Sequence, residues 1–459
     1  MTTIVNTKVG ETRGRRRIYV EGQKLTREGI EAGQRYDLTT ENGRLVLKIG
    51  KEGKYTVSKK TKGGKLLPVI DLTVKQVAEL FDGVQMVRAL IRDGGIVISA
   101  HHNQQKVEER VTHLLEKVSK NKPLDVISLF HGGGVIDNAL HAGMGQTGVQ
   151  LRTKAAVELE PAYMEASLSN NPIWDSKSIA IESGIQDVDM SRANTTADCI
   201  IGGIPCTGAS RSGKVKNKLK HAEEHEEAGA MFFYFLDFVR KLNPAIVLIE
   251  NVQEYQSTAS MAAIRSVLVS LGYCLSERVL NGNEFGALER RERLCVVALS
   301  QGLEGFDLDT VLPKRQKQAT IAEVLEDLPL DSPRWKTFDY LAAKAERDLA
   351  AGKGFKRQEL DASAEYCGTI GRGYAKCRST EPFLKHPIDP SLSRLFTPIE
   401  HARLKGIPEQ LVDGVSDTIA HQILGQSVIW PVFEAVGEAL ANHLKRCAGV
   451  SQYHFDLAA

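Results

Sequence analysis

The sequence lacks several features that would place it in a broad class at once. It has no run of about 18 apolar residues, so we expect no membrane span. Its first residues, MTTIVNTKVGETRGRRR, have no apolar core of the signal-peptide type, which favours an intracellular, cytoplasmic protein. Its seven cysteines stand singly, without a CxxC pair, so neither a disulfide framework nor a metal site is indicated. We expect mostly free thiols, one of them kept for reactivity.

Charge is unevenly distributed along a chain whose net charge is only +2. Residues 1–122 contain 24 Lys and Arg against 14 Asp and Glu, so the remainder is mildly acidic. A basic part of this kind fits a module that faces an acidic polymer. A solvated basic surface is the simpler explanation of the charge alone.

The first 120 residues have the pattern of a β-rich module. The segments RRIYV, YDLTT and RLVLKIG are short and β-branched, with glycine-containing turns between them. The segment VKQVAELFDGVQMVRALI indicates a helix, and NQQKVEERVTHLLEKVSKNK indicates a polar amphipathic helix or linker. No internal repeat is evident anywhere in the chain.

From residue 124 onward, strand-like runs alternate with helical ones, as in DVISLF, KAAVELE, ADCIIGGIP, AIVLIEN and RLCVVAL. This alternation predicts an α/β fold with a doubly wound parallel sheet, whose ligands bind at the carboxyl ends of the strands. The alternation is lost after residue 300. We predict a β-rich module over 1–120, a core over 121–300, a small inserted region over 301–385 and a return to the core over 386–459.

Cys206 lies in a candidate nucleophile position, after a predicted strand that ends in two glycines, isoleucine and Pro205. A thiolate can add to an unsaturated carbon such as C6 of cytosine, which makes C5 an electron-rich centre. A lone cysteine is more often a buried packing residue. Other residues at strand ends therefore have to support the interpretation.

Two further groups of polar residues end or begin predicted strands. Glu250, in the sequence Ile-Glu-Asn-Val, could bind the N3 and N4 edge of cytosine and supply a proton at N3. Arg291 and Arg293 alternate, so in an extended segment they point to one face and could hold a base carbonyl and a phosphate. A helix cap for the acid and a surface salt-bridge ladder for the arginines are the simpler alternatives.

The sequence Phe-His-Gly-Gly-Gly at 130–134 follows the first core strand, and Glu158 ends the next one. Glycines let a ligand approach the backbone, and an acid at this second position commonly binds ribose hydroxyls. The pattern differs from the GxGxxG of dinucleotide-binding proteins, so a nicotinamide enzyme is disfavoured.

The order of these motifs resembles that of DNA cytosine C5 methyltransferases. FHGGG, VELEP, GGIPCTGAS, ENV, ERRER, RLFTPIEHARLKGIP and GQSV occur in the family's order, across about 121–300 and 385–445. The resemblance implies an α/β, doubly wound S-adenosylmethionine-dependent core. It implies that Cys206 is the nucleophile, that Glu250 holds the cytosine edge, and that Arg291 and Arg293 contact the cytosine and a phosphate. It also implies a set of cofactor-binding residues: Phe130, His131, Gly132, Gly134, Glu158, Leu159, Ile185, Pro205, Gln426 and Ser427.

Several positions depart from the family pattern. The first motif usually begins with Asp and has Ala before its first glycine, where this sequence has Ser128 and His131. The family's usual Gly-Asp-Ile of the third motif is Ser183-Gly184-Ile185 in this sequence, so Gly184 stands in place of the acid, with Asp187 as a candidate substitute. Gln replaces Asn at position 426, and Glu289 replaces the usual Gln. Most of these changes lie around the cofactor pocket, which raises the alternative of a modified cofactor.

The resemblance also predicts residues that bind double-stranded DNA. The basic loop after Cys206 corresponds to one that closes over DNA in the family, and region 301–385 takes the place of the target recognition domain. Small residues allow such a loop to move, and lysines contact phosphates without reading sequence. The predicted DNA-binding residues are Ser210, Arg211, Lys214, Lys216, Arg372 and Lys376.

The N-terminal stretch RRIYVEGQKLTREGIEAGQRYDLTTENGRLVLKI resembles the small β modules of the AbrB and SymE type. This resemblance implies either DNA binding or a homodimer formed through the module. The whole pattern predicts a nucleoid-associated DNA methyltransferase, with a restriction endonuclease as a candidate partner. RNA methylation on the same scaffold and a non-catalytic DNA-binding regulator are the two rival functions.

Overall fold

The computed structural model describes residues 1–191, 195–205, 229–352 and 357–450, which divide into two compact units. The first unit is Met1–Glu109, and the second begins at Arg110. Helix α3 (His102–Ser119) spans this division, and the boundary predicted at residue 120 falls just after the helix. None of the helices in the described ranges is long and apolar enough to cross a bilayer.

The first unit is a nine-stranded antiparallel sheet with two short helices, which confirms a β-rich N-terminal region. Its strands, in the spatial order β5-β3-β4-β9-β8-β1-β2-β7-β6, are β1 (Thr2–Thr12), β2 (Arg15–Glu21), β3 (Arg35–Glu41), β4 (Arg44–Gly50), β5 (Tyr55–Thr56), β6 (Ser58–Lys62), β7 (Lys65–Leu72), β8 (Met86–Arg92) and β9 (Gly95–Ala100). The helices are α1 (Gln23–Thr26) and α2 (Lys75–Leu80). The long helix predicted over VKQVAELFDGVQMVRALI is wrong beyond Leu80, because Val87, Ala89 and Ile91 are buried on alternate positions of strand β8.

The first unit contains an internal repeat that the sequence pattern does not reveal. A hairpin, a short helix and a second hairpin occur once over residues 2–50 and again over residues 55–100. All four hairpins have two-residue turns, Arg13-Gly14, Asn42-Gly43, Gly63-Gly64 and Asp93-Gly94, with φ between 48° and 74°. These angles are those of type I′ turns, which match the twist of a hairpin. The prediction of no repeat is therefore wrong.

The second unit is built on a seven-stranded sheet in the order β12-β11-β10-β13-β14-β16-β15. Its strands are β10 (Leu124–Leu129), β11 (Leu151–Glu158), β12 (Ile179–Glu182), β13 (Cys199–Gly203), β14 (Ile246–Val252), β15 (Tyr273–Asn281) and β16 (Glu292–Ser300). The five from β12 to β14 pair in parallel, and β16 is antiparallel to both of its neighbours. Strand β15 is absent from the predicted elements because Ser276, Glu277 and Arg278 interrupt the apolar residues of its sequence, YCLSERVLN.

Helices cover both faces of this sheet, which confirms the predicted α/β fold. Alternate residues of one strand belong to different hydrophobic clusters: Leu248 packs with α4 and α11, whereas Val247 and Ile249 pack with α6 and α7. The helices of the second unit are α4 (Val135–Gly145), α5 (Pro161–Asn170), α6 (Met231–Leu242), α7 (Ala259–Ser270), α8 (Asp339–Ala350), α9 (Pro398–Leu404), α10 (Asp417–Gln426) and α11 (Trp430–Cys447).

The region after β16 forms a separate, smaller core. It contains helix α8 and a three-stranded sheet of β17 (Gln358–Leu360), β18 (Pro382–Lys385) and β19 (Ser393–Arg394). Its buried residues include Ile321, Cys367, Ile370, Tyr374 and Phe396. The segment TIAEVLEDLP, whose composition is typical of a helix, forms only a single turn over Ile321–Val324. The chain then returns through α9, α10 and α11 to the main sheet, where α11 packs on α4.

Candidate active site

The carboxyl ends of four parallel strands bring the predicted site residues to one edge of the sheet. Leu129 at the end of β10 is paired with Val157 of β11 on one side and Gly202 of β13 on the other. Gly203 of β13 is paired with Glu250 of β14. Polar groups that follow these strands therefore gather in a small space, as expected for a doubly wound sheet.

The turn after β10 needs glycine because its backbone is left-handed at alternate residues. Phe130, Gly132 and Gly134 have φ values of 59°, 59° and 71°. A Cβ on Gly134 would lie 2.6 Å from side-chain nitrogens of His131 and Asn171, so only glycine fits there. The backbone N–H of Gly132 donates to Oε2 of Glu158 over 2.6 Å. This turn leads into helix α4, whose N-terminal end faces the same edge of the sheet.

The imidazole of His131 forms hydrogen bonds inside the protein, behind this turn. Its Nδ1 lies 2.9 Å from Oγ of Ser128 and its Nε2 lies 2.9 Å from Oγ of Ser167. Oδ2 of Asp137 is 3.2 Å from Nδ1, and the imidazole is fully shielded from solvent. The imidazole therefore supports the turn from behind. Any contact of residue 131 with a cofactor would have to come from its backbone.

The other predicted cofactor residues surround the turn. A Cβ on Gly132 would lie 3.5 Å from Nε2 of Gln426, so the GQSV motif does pack beside the first motif. Leu159 is 71% exposed directly after Glu158, whereas Ile185 is buried. The hydroxyl of Ser427 donates to the carbonyl of Leu424 at the end of helix α10.

Glu250 lies at the centre of the site and is nearly buried. Its Oε1 is 3.1 Å from Nε of Arg293, and its side chain is 11% exposed. Burial raises the pKa of this carboxyl, and the charges of Arg293 and Arg291 oppose that rise only in part. A carboxyl with a raised pKa holds a proton more readily, which is the property required of a group that protonates a base.

Cys206 lies outside the described residues, as do the predicted DNA-binding residues Ser210, Arg211, Lys214 and Lys216. The structure describes the residues just before Cys206, and a hydrogen bond connects them to the neighbour of Glu250. The carbonyl of Ile204 accepts a hydrogen bond of 3.0 Å from Nδ2 of Asn251, the neighbour of Glu250. Pro205 is half-buried at the end of this segment.

The two predicted arginines have different surroundings. Arg293 faces Glu250, whereas Arg291 is 2% exposed and donates to the carbonyls of Ile370 (3.2 Å) and Gly425 (3.0 Å). A contact between Arg291 and cytosine or phosphate stays a prediction. The observed contacts instead make Arg291 a link between the core, the smaller region and the GQSV motif.

A buried lysine is the main feature that the sequence analysis missed. Nζ of Lys405 contacts both carboxylate oxygens of Glu289, at 3.1 and 3.0 Å. Lys405 belongs to the RLKGIP motif, at a position that the resemblance left unspecified. The change from Gln to Glu at position 289 was a signal, because a buried acid requires a cation nearby.

The predicted residues of the smaller region are exposed but lie in different environments. Arg372 is 3.5 Å from Glu160 and lies 5.4 Å from the ring centroid of Tyr163, beside the cofactor side of the site. Lys376 lies in the short turn Tyr374–Lys376 and is exposed. Within the described ranges, no group of three or more His, Cys, Asp or Glu side chains could hold a metal ion.

Comparisons with known proteins identify what this arrangement is similar to. The family model described as C-5 cytosine-specific DNA methylase matches residues 124–442. The type II methyltransferase M.NlaX of Neisseria lactamica is 31% identical over 252 residues, covering 53% of this chain and 75% of that protein. M1.ScrFI of Lactococcus lactis subsp. cremoris is 28% identical over 54% of this chain, and the match spans only 63% of its length.

Solved structures show the same fold at lower sequence identity. The Dnmt2 methyltransferase of S. pombe superposes with a TM-score of 0.56 at 21% identity, covering 70% of this chain and 99% of that one. The methyltransferase EhMeth of Entamoeba histolytica also gives a TM-score of 0.56, at 17% identity, with coverage of 71% and 99%.

Proposed function

The chain belongs to the C-5 cytosine-specific DNA methylase family, and from this membership we propose that it methylates C5 of cytosine in DNA. The proposed reaction takes place on a cytosine flipped out of the duplex, with Cys206 as the nucleophile. The pairing of Gly203 with Glu250 carries the proposal, because it brings the strand that leads to Cys206 beside a buried acid.

The family uses S-adenosylmethionine, and the residues at the strand ends suit that molecule. In this proposal Glu158 accepts hydrogen bonds from the ribose hydroxyls, and exposed Leu159 packs against the adenine ring. In this proposal the amino-acid part of the molecule lies against the backbone of the glycine turn, beside Pro205 and the GQSV segment. When bound, S-adenosylmethionine supplies the methyl group that C5 of cytosine receives.

The side chains of this chain have distinct roles in the proposed reaction. The Cys206 thiolate adds to C6, which breaks the C5–C6 double bond, while Glu250 holds the N3 and N4 edge and gives a proton to N3. Arg293 keeps the carboxyl of Glu250 in place through their 3.1 Å contact. After C5 is methylated, loss of the C5 proton restores the double bond and releases the thiol.

Double-stranded DNA is the partner that we propose, with region 301–385 and the segment after Cys206 as its contact surfaces. The description of several relatives as type II methyltransferases supports a restriction endonuclease as a second partner. A homodimer formed through the first unit is less favoured, because its sheet already pairs two halves from one chain.

Two measurements test the proposal. Transfer of tritiated methyl to duplex DNA should occur with the parent and fall below detection in Cys206→Ala. A duplex in which fluorine replaces hydrogen at C5 of cytosine should form a denaturant-resistant complex with the parent, since the fluorine cannot leave as a proton would. Transfer to RNA alone would favour the first rival function, and absence of transfer to any nucleic acid would favour the regulator.

A further inference from the structure

The two repeats of the first unit are joined through a four-stranded ribbon, β1-β2-β7-β6. Strand β2 pairs with β7 so that Val20 lies opposite Ile70, and each is a core residue. Arg15 and Lys65 occupy the same position in their hairpins, directly after the two-residue turns. The ribbon therefore has a pseudo-twofold centre, with one hairpin turn at each end.

The same symmetry holds in the other half of the unit. Strands β4 and β9 pair with Val46 opposite Val97, which relates the second hairpin of each repeat to its counterpart. One chain thus supplies both halves of a symmetric sheet. A twofold arrangement of this kind matches a partner that is itself approximately twofold symmetric, as duplex DNA is.

Two of the cations near the centre of the ribbon are compensated by acidic partners. Arg17 makes two hydrogen bonds of 2.7 and 2.8 Å to Asp71, and Lys60 binds Glu21 at 2.8 Å. The ring of Tyr19 lies near both cations, 4.6 Å from the guanidinium carbon of Arg17 and 5.8 Å from Nζ of Lys60. Lys8 and Lys59, which are exposed on β1 and β6 of the same ribbon, form no ion pair with the residues that the structure describes.

The two ends of the ribbon are different. Arg13 and Arg15 at one end, and Lys62 and Lys65 at the other, are exposed. No residue in the described ranges forms an ion pair with any of these four side chains. We call these two pairs the basic tips. Arg17 and Lys60 are neutralised by acidic partners, whereas each tip presents two unpaired positive charges beside its turn.

The register of the ribbon fixes the spacing of the basic tips. The turns lie roughly thirteen residue steps apart along β2 and β7, which corresponds to about 43 Å at about 3.3 Å per residue. Twist and coiling shorten this distance. One turn of B-DNA is about 34–36 Å, so the tips can reach backbone phosphates about one helical turn apart on the same side of a duplex.

We propose that the first unit binds the phosphate backbone of duplex DNA through its two basic tips, without reading base sequence. The choice of duplex DNA as the partner rests on the proposed function of the second unit. The contact itself does not require a cytosine. It holds the chain on DNA between targets, so its loss raises the DNA concentration needed for methylation and leaves turnover at saturation unchanged.

The test uses the full chain and a fluorescent duplex of A·T pairs only, which contains no cytosine. A tip variant carries Arg13→Gln, Arg15→Gln, Lys62→Gln and Lys65→Gln. The matched control removes the same charge from exposed residues elsewhere in the unit, through Arg44→Gln, Lys48→Gln, Lys51→Gln and Arg92→Gln. Affinity is measured by anisotropy across a range of salt concentrations.

We expect the tip variant to bind at least about tenfold more weakly at low salt and to lose about 3 to 4 from the slope of log K against log salt. The control should change affinity by less than about threefold. A variant that exchanges Arg and Lys at the four tip positions should bind like the parent, which excludes damage to the hairpins.

Three results would overturn the inference: equal weakening in the tip variant and the control, unchanged binding in the tip variant, or tighter binding to an RNA duplex of equal length. Methyl transfer to cytosine-containing DNA is measured in parallel. Because the A·T duplex contains no methylation target, the binding result can be interpreted even if the proposed reaction does not occur. Conversely, methyl transfer can be measured even if the tips do not bind DNA.

Discussion

Nζ of Lys405 lies 3.0 Å from Oε2 of Glu289, and both side chains are completely shielded from solvent. Oε1 of Glu289 also accepts a hydrogen bond of 3.2 Å from the backbone of Ile370. Glu289 precedes strand β16, Ile370 belongs to the smaller region, and Lys405 follows helix α9. One buried charge pair therefore joins three segments that are distant in the sequence.

Removing one member of this pair should cost more stability than removing both. Glu289→Gln leaves a lysine buried without its counter-charge, which typically costs about 3–5 kcal/mol. Adding Lys405→Gln should restore part of the loss, because two amides can bond to each other, while Arg291 still lacks the carboxylate that lies 3.4 Å from it in the parent. Denaturant unfolding of the two single variants and the double variant gives the coupling energy. Additive effects within about 0.5 kcal/mol would show that the two residues do not interact.

The pair should also make stability depend on pH. Burial, assisted by the charge of Arg291, lowers the pKa of Lys405 to about 7, whereas an unfolded lysine titrates near about 10.4. Between these values the unfolded chain binds one more proton than the folded chain, so stability rises with pH in this window and gains nothing below it. From pH 7 to pH 9 the parent should gain about 2 kcal/mol over the double variant. If the free energies of unfolding of the parent and the double variant changed equally with pH, a lowered pKa of Lys405 would be contradicted.

The two arginines of the ERRER motif should separate stability from catalysis. Arg291→Gln removes buried hydrogen bonds to Ile370 and Gly425, so we expect a loss of about 3 kcal/mol in the free energy of unfolding. Arg293→Gln removes the partner of Glu250 and should lower kcat by about 100-fold, with a smaller loss of stability than Arg291→Gln, because the Glu250 carboxyl can take up a proton when its counter-charge is removed. Unfolding curves and methyl-transfer rates of both variants decide this. A mainly catalytic defect in Arg291→Gln and a mainly structural defect in Arg293→Gln would refute this prediction.

Two adjacent glycines at the end of β13, Gly202 and Gly203, should also separate an effect on stability from an effect on catalysis. A Cβ on Gly202 would lie 2.4 Å from Cε2 of Phe235 in helix α6, so Gly202→Ala should destabilise the fold by about 1–3 kcal/mol. A Cβ on Gly203 would lie 3.7 Å from Oε2 of Glu250 and 3.8 Å from the carbonyl oxygen of Phe130, which are ordinary contacts.

Gly203→Ala should therefore fold like the parent. Its added methyl group projects into the space between the acid and the cofactor turn, where the proposed reaction brings cytosine and methyl donor together. We expect methyl transfer to fall at least about tenfold with an unchanged unfolding curve. Full activity in Gly203→Ala would show that the reactants do not use this space.

Much of the fold could be predicted because local patterns and tertiary structure agree in the core. The buried strands β10, β13 and β14 have the sequences LDVISL, CIIGG and IVLIENV, which are mainly apolar and β-branched. Strand β15 and the break between α2 and β8 could not be predicted in the same way. Polar residues on an edge strand and a β-branched run after a helix have no clear periodicity of their own.

The site was predictable where strand ends alone determine position, as for Glu250, Glu158 and the glycine turn. It was not predictable where side chains meet through packing. The direction of the His131 side chain and the partners of Arg291 depend on residues more than 30 positions away. The internal repeat escaped detection because its two copies share turn geometry and strand order rather than matching residues.

The pairing of Gly203 with Glu250 has a consequence for how this site can change over time. Main-chain pairing of β13 with β14, together with the hydrogen bond from the Asn251 side chain to the carbonyl of Ile204, sets the spacing between the acid and the segment that leads to the nucleophile. Substitutions around the methyl-donor pocket, such as Ser128, His131 and Gln426, leave that spacing untouched. The residues of the methyl-donor pocket can therefore change while the distance between Glu250 and the segment before Cys206 is kept by the pairing of the two strands.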